Sequence, residues 1–226
     1  MNIFTNEKNN YKLLKERPHW QGERIVDSNV EGEDTKMSDT LVSKLPNSDT
    51  NRGRIAIFID GANLFHAALQ LGIEIDYAKL LCYLSQGGRL LRSFFYTGVD
   101  RTNEKQQGFL LWMRRNGYRV VTKDLIQLPD GSKKANLDIE IAVDIMNLAP
   151  YYDTAVLVSG DGDLAYAVNA VSYKGVRVEV VSVRSMTSDS LIDVTDCFID
   201  LESIKKHIQK ETHPSYNYRP PFDSSL

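Results

Sequence analysis

A three-layer α/β domain, a mainly parallel sheet between two helical layers, is what this sequence predicts, and two observations carry the prediction. Strand-like and helix-like apolar patterns alternate from about residue 54 onward, which implies parallel strands joined by helical crossovers. Two of the strand-like runs then end directly in acid. Asp60-Gly61-Ala62-Asn63 follows residues 55–59, and Ser159-Gly160-Asp161-Gly162-Asp163 follows residues 155–158. In an open α/β sheet, functional groups gather beyond the carboxyl ends of the strands. Bare carboxylates brought together there repel one another unless a cation lies between them. The chain reads as one built to hold a divalent metal.

Each element has a local reason. Residues 55–59, all β-branched or apolar, form the first strand. Helical patterns at 63–71 and 76–84 are parted by Gly72. Residues 90–97, rich in Phe and Tyr, give a second strand, and 104–116 a helix closed by Gly117, a residue suited to the left-handed position after a helix. A third strand at 118–122 leads into a hairpin of 124–128 with 133–134, turning at Pro129-Asp130-Gly131. The helix at 137–148 repeats apolar residues at Ile141, Ile145 and Leu148. A strand–helix–strand unit comes next at 155–158, 164–173 and 176–181, joined through Lys174-Gly175, and a last helix and strand lie near Leu191 and Phe198. Right-handed crossovers set the topology. The domain so defined spans 54–208. Residues 1–53 are polar and weakly periodic, apart from a short helical stretch at 11–16, and read as a disordered leader. Residues 209–226, with Pro220-Pro221, read as a flexible tail.

Composition narrows the function classes. With 226 residues, 42% of them hydrophobic, the chain can bury one good core. No apolar run approaches the roughly 18 residues of a membrane span, and residues 1–14 lack the apolar stretch of a secretory signal. Cys82 and Cys197 stand far apart in apolar surroundings, without zinc-ligand spacing, and read as buried free thiols of a reducing, cytoplasmic compartment. The four histidines are scattered, which argues against a His-rich metal site or a Ser-His-Asp arrangement. The net charge of −3 does not favour a nucleic-acid partner. From Arg54 to Lys210, however, 18 Lys and Arg face 19 Asp and Glu. Committing some of those acids to a metal leaves a mildly basic surface, permissive for a polyanion.

Three segments supply the candidate site. Asp60 emerges where the first strand stops, Gly61 permits a sharp turn, and Asn63 is placed to cap the helix after it. Asp161 and Asp163 alternate with glycines that allow close backbone approach and unusual φ, and Ser159 offers a hydroxyl at the strand tip. Asp138 opens the third segment on the side of Ile141 and Ile145, whereas Glu140 falls on another face, and Asp144 ranks below it. Lys133 and Lys134 precede this helix, within reach of a phosphate. Each signal alone is matched by a plainer role: a turn, a helix cap, a helix dipole or a solvated hairpin tip. Jointly they place carboxylates from distant segments on one edge, which an apolar core does not require. A haloacid-dehalogenase-like phosphatase is disfavoured because Ala62 stands where a second acid belongs, and a nucleotide-binding Rossmann domain because no Gly-rich loop follows the first strand.

Ile57-Phe58-Ile59-Asp60-Gly61-Ala62-Asn63, Lys134-Ala135-Asn136-Leu137-Asp138 through Ala142-Val143-Asp144, and Thr154 through Asp163 resemble, in this order, the NYN domain family, and within it the LabA-like (DUF88) bacterial branch. The closing pattern from Ser190-Leu191 to Asp196, Phe198 and Leu201 is similar too, so the resemblance covers about residues 54–205. It implies a PIN-like (Rossmann-like) α/β/α fold and a ribonuclease dependent on Mg²⁺ or Mn²⁺, acting on RNA in processing or turnover. Carried over, Asp60, Asp138, Asp161 and Asp163 are the metal-binding and catalytic acids, with Asn63 beside them. On this reading Asn63 and Ser159 position water or phosphate, and Lys134 contacts the substrate. Typical PIN domains add a glutamate in the helix after the first strand, where this chain has Asn63-Leu64-Phe65 and no acid. The branch is also linked to regulation of gene expression, including circadian output in cyanobacteria. The alternative is therefore a non-catalytic RNA- or protein-binding regulator on the same fold, with a homo-oligomer or a regulatory protein as partner.

Overall fold

The computed structural model describes residues 51–211 except 128, 130 and 132. The expected short helix at 11–16, nearly all of the leader, and the tail beyond 211 lie outside the described residues. Strands β1 (Arg54–Asp60), β2 (Arg89–Val99), β3 (Tyr118–Asp124), β6 (Thr154–Val158), β7 (Arg177–Ser182) and β8 (Cys197–Asp200) form a parallel sheet in the order β3-β2-β1-β6-β7-β8. Between β3 and β6, the two-residue strands β4 (Ile126–Gln127) and β5 (Lys133–Lys134) pair antiparallel as the expected hairpin.

Alternation along β1 explains the layers. Ile55, Ile57 and Ile59 point into one apolar cluster with helices α1 (Gly61–Leu71), α2 (Tyr77–Leu84), α3 (Glu104–Arg115) and α7 (Leu201–Ile208). Ala56 and Phe58 point into a second, packed by α4 (Asp138–Leu148), α5 (Ala165–Ser172) and α6 (Asp189–Ile192). A strand buried on both faces reads as a continuous apolar run, as this one does. Gly72 and Gly117 close α1 and α3 at positive φ, 65° and 92°, as their spacing predicts. Among the described residues, no helix is long and apolar enough to cross a membrane.

Some local expectations are corrected. Helix α1 starts at Gly61 rather than at residue 63, because the Asp60 carboxylate caps it. A 3₁₀ turn, Gly162–Leu164, precedes α5, which begins one residue later than expected. Helix α7 follows β8, although only one helix and one strand were expected at that end; its strong amphipathic character comes from Leu201, Ile204 and Ile208. Beyond it, the Lys210 N–H donates to the Glu74 carbonyl at 2.8 Å and Gln209 bridges Ile75. Cys82 is exposed, because its position on α2 faces away from the sheet, and Cys197 is half-buried, burial pushing its thiol up.

At the amino edge of the sheet, Arg52 and Glu179 form a buried pair, 3% and 1% exposed. Arg52 Nη2 and Nε donate to the two Glu179 oxygens at 2.7 and 3.2 Å. Its Nη1 donates to the carbonyls of Leu84 and Gln86 at 2.9 and 2.6 Å. Glu179 Oε1 also accepts from Arg177 Nε at 2.8 Å. It is therefore removal of Glu179 that strands a buried charge, the Arg52 guanidinium, at a cost of about 3 kcal/mol or more, whereas replacing both Arg52 and Glu179 with apolar residues is far milder. Glu179→Leu should lower stability in urea unfolding by about that amount. The Arg52→Met/Glu179→Leu double variant should recover most of the loss, and equal instability of the two would contradict the assignment.

Candidate metal centre

Three elements deliver the carboxylates. Strand β1, between β2 and β6, is where the sheet's winding reverses, and its last residue Asp60 lies in register with Tyr96. Strand β6 ends at Val158, and the chain turns through Ser159, Gly160 and Asp161. Helix α4 supplies Asp138 at its amino terminus, where the helix dipole favours an anion.

Asp138, Asp161 and Asp163 each offer a carboxylate oxygen, and these three oxygens lie within 4.8 Å of one another. Asp60 falls outside this triad but close enough for the Asp138 charge to act on it. Its Oδ1 accepts from the N–H groups of Ala62 and Asn63 at 3.0 and 3.1 Å, and its Oδ2 from the Ser159 hydroxyl at 3.3 Å. The Ser159 Oγ accepts in turn from the Asp161 N–H at 3.2 Å, and Asp161 Oδ1 from the Asp163 N–H at 2.9 Å. One chain of hydrogen bonds thus links the tip of β1 to the loop after β6.

Asn63 does not cap α1. Its Oδ1 accepts from the Gly160 N–H at 3.1 Å, tying the two strand tips together. Glycine matters here for space rather than for φ. Among the described residues, neither Gly61, Gly160 nor Gly162 has positive φ. A Cβ on Gly61 would meet Phe95 and the Tyr96 carbonyl at 2.7 Å, one on Gly162 the Ser188 Oγ at 2.7 Å, and one on Gly160 would collide with the Met186 carbonyl.

Asn136 also belongs to the site. Its Nδ2 donates to Asp138 Oδ2 at 2.6 Å and its Oδ1 accepts from the Asp138 N–H at 2.9 Å, so it fixes that carboxylate. An Asn two residues before a helix-opening Asp was the available signal. Asp144 stands apart, accepting from the Tyr96 hydroxyl at 2.8 Å. Glu140 pairs with Lys123 at 2.8 Å, which takes that lysine out of the free basic surface. Arg101 is likewise paired, with Asp124. Lys134 is exposed and lowers the proton affinity of Asp138.

Electrostatics mark the site as charge-frustrated. Burial raises the proton affinity of Asp60 above the carboxylate norm, the Asp138 charge adding to it against the Asn63 and Ala62 amides. Partial burial does the same to Asp138, reinforced by Asp161 and Asp163 and opposed by Asn136 and Lys134. A dication relieves this. The donors are all carboxylate oxygens, the set preferred by hard ions such as Mg²⁺ and Mn²⁺, and they are grouped tightly enough to share one ion.

A carboxyl whose folded pKa is raised stabilises the fold fully below its unfolded value, about 4, and loses that contribution as pH rises through the folded value. In chelator, Asp138→Asn should therefore raise the melting temperature at pH 7 and flatten its decline between pH 4 and 7. In the parent protein Mg²⁺ or Mn²⁺ should raise the melting temperature at pH 7, and the variant should lose that response. Calorimetry checks both signs; a variant less stable than its parent in chelator would contradict the frustration.

The model of the NYN domain matches residues 54–202. The low amplitude and bright protein LabA of Synechococcus elongatus is 37% identical over 169 residues, covering 71% of this chain and 90% of LabA. The crystal structure of VPA0982, a protein of unknown function from Vibrio parahaemolyticus, superposes with a TM-score of 0.60 at 30% identity, covering 67% of this chain and 94% of that one.

Proposed function

From the premise that this chain belongs to the NYN domain family, we propose that it is a divalent-metal-dependent ribonuclease that hydrolyses RNA phosphodiester bonds. The observation that carries this reading is the Asp138–Asp161–Asp163 triad at the carboxyl edge of the sheet, its oxygens within 4.8 Å of one another. Those three residues would hold the ion, Mg²⁺ or Mn²⁺, and Asn136 fixes the Asp138 carboxylate for that role. Such an ion, when bound, polarises a phosphate and lowers the pKa of an attacking water. The chain's own residues do the rest. Asp60, its proton affinity raised by burial, takes a proton from the attacking water at Oδ2, beside the Ser159 hydroxyl, and solvent returns one to the leaving oxygen. Ser159 and Asn63 keep the two strand tips, and so the reacting groups, in fixed relation. Lys134, exposed at the hairpin next to Asp138, meets the phosphate backbone.

A second reading has its own observation. Helix α1 carries no acid in its first turn, so the glutamate typical of PIN domains is missing, and both oxygens of Asp60 are engaged in hydrogen bonds. A regulator that binds RNA or a protein without cleaving it would retain the triad as a binding feature.

Incubation of the purified protein with single-stranded and structured RNA, with Mn²⁺, Mg²⁺ or chelator, separates the two. Metal-dependent cleavage that Asp161→Asn or Asp138→Asn lowers by about 100-fold or more, with Lys134→Ala weakening substrate affinity more than turnover, is the expected outcome. Metal-dependent retention of intact RNA supports the regulator. Cleavage equal in parent and variants indicates a contaminant and removes support for the catalytic reading.

A further inference from the structure

On the face opposite α4 and α5, a groove of about 630 Å³ runs between α1 and α3. Its walls are aromatic and aliphatic: Phe65 and Leu69 from α1, Phe109 and Trp112 from α3, Ile73 from the link after α1 and Tyr77 from the start of α2. Phe65 and Leu69 are 58% and 62% exposed and Trp112 is 41% exposed. A contiguous apolar surface of this kind marks a place where something binds. None of these residues takes part in the carboxylate centre.

The path of the chain points to the occupant. After α7 the backbone runs antiparallel to the groove's lower edge. The Asp76 N–H donates to the Ile208 carbonyl, Gln209 bridges Ile75, and the Lys210 N–H donates to the Glu74 carbonyl. Each step carries the chain from Asp76 toward Ile73, and Lys210, itself a lining residue, is ion-paired with Glu74 at the groove's mouth. The sequence continues from Thr212 to Leu226, fifteen residues holding Tyr216, Tyr218, Pro220, Pro221 and Phe222. Fifteen residues reach about 50 Å when extended, ample to traverse two helices. Proline pairs favour the extended polyproline conformation, and aromatic-lined grooves are the surfaces that recognise such segments at low ordering cost.

We propose that this groove is the docking site for residues 212–226 of the same chain, with Tyr216, Tyr218 and Phe222 as anchors among Phe65, Leu69, Phe109 and Trp112. The docking is independent of metal and of the catalytic reading. Its occupation covers the exposed aromatics and closes the α1–α3 face to other partners.

The full-length protein carrying Trp20→Phe leaves Trp112 as the one tryptophan. In that background Tyr216→Ser, Tyr218→Ser and Phe222→Ser together should shift Trp112 emission to the red, with far-ultraviolet circular dichroism unchanged. A synthetic peptide of residues 212–226 should then bind the tail-substituted protein saturably and reverse the shift, while the protein with its native tail does not respond. Leu69→Lys should weaken that binding by about ten-fold or more. Emission insensitive to the tail substitutions overturns the proposal, as does equal peptide affinity for proteins with native and substituted tails. Emission of the native-tail protein that changes on dilution assigns the tail to a second copy and overturns the intrachain docking. An unrelated Pro-aromatic peptide that binds as tightly makes the groove a receptor for other proteins, and overturns it too.

Discussion

Strand β1 is the constraint on which the rest of the molecule depends. Its residues Ile55 through Ile59 are wholly buried, their side chains divided between two apolar clusters. A strand so enclosed can show a charge only at its end. Asp60 takes that end, between β2 and β6, at the point where the winding reverses and a crevice opens. The loop after β6 and the start of α4 then bring their acids to the same edge. Repulsion among them is held in check by backbone amides, by Asn136 and by Lys134. The result is a set of carboxylates whose placement is settled by the apolar core and whose charge calls for an external partner.

Much of this was legible in the residues, and the gaps have physical reasons. The apolar run before Asp60 and the one before Ser159 gave the central strands, because burial on both faces leaves no polar interruption. Helix α7 is hard to read from the sequence because its apolar residues, Leu201, Ile204 and Ile208, make up less than half of a short segment that is otherwise polar. The convergence of Asp138 with Asp161 and Asp163 was inferable from topology. That Asp60 stands beside the triad was not, since it depends on which carboxylate caps α1. Periodicity placed Asn63 near a helix start and suggested a cap; the residue instead accepts from Gly160 across the sheet edge, a long-range bond no local pattern encodes. The glycines were recognised but for only half of the right reason. They admit neighbouring backbone and side chains at close quarters and do not adopt left-handed geometry.

The two faces of the sheet have been put to different uses. On one side α4 and α5 pack together behind the acidic centre, and α4 ends at the turn from which β6 departs. On the other, α1 and α3 stand apart and leave an aromatic trough between them. Helix α1 belongs to both arrangements: its first residue abuts the Phe95 ring and the Tyr96 carbonyl at the tip of the sheet, and its outer face forms a wall of the trough.

The buried Arg52–Glu179 pair lies at the other end of the strands, just before β1 begins. A pull on the polypeptide preceding Arg52 therefore meets a guanidinium bolted to β7 and to two carbonyls at the end of α2. Loss of Glu179 would loosen the start of β1 without removing any residue of the acidic edge.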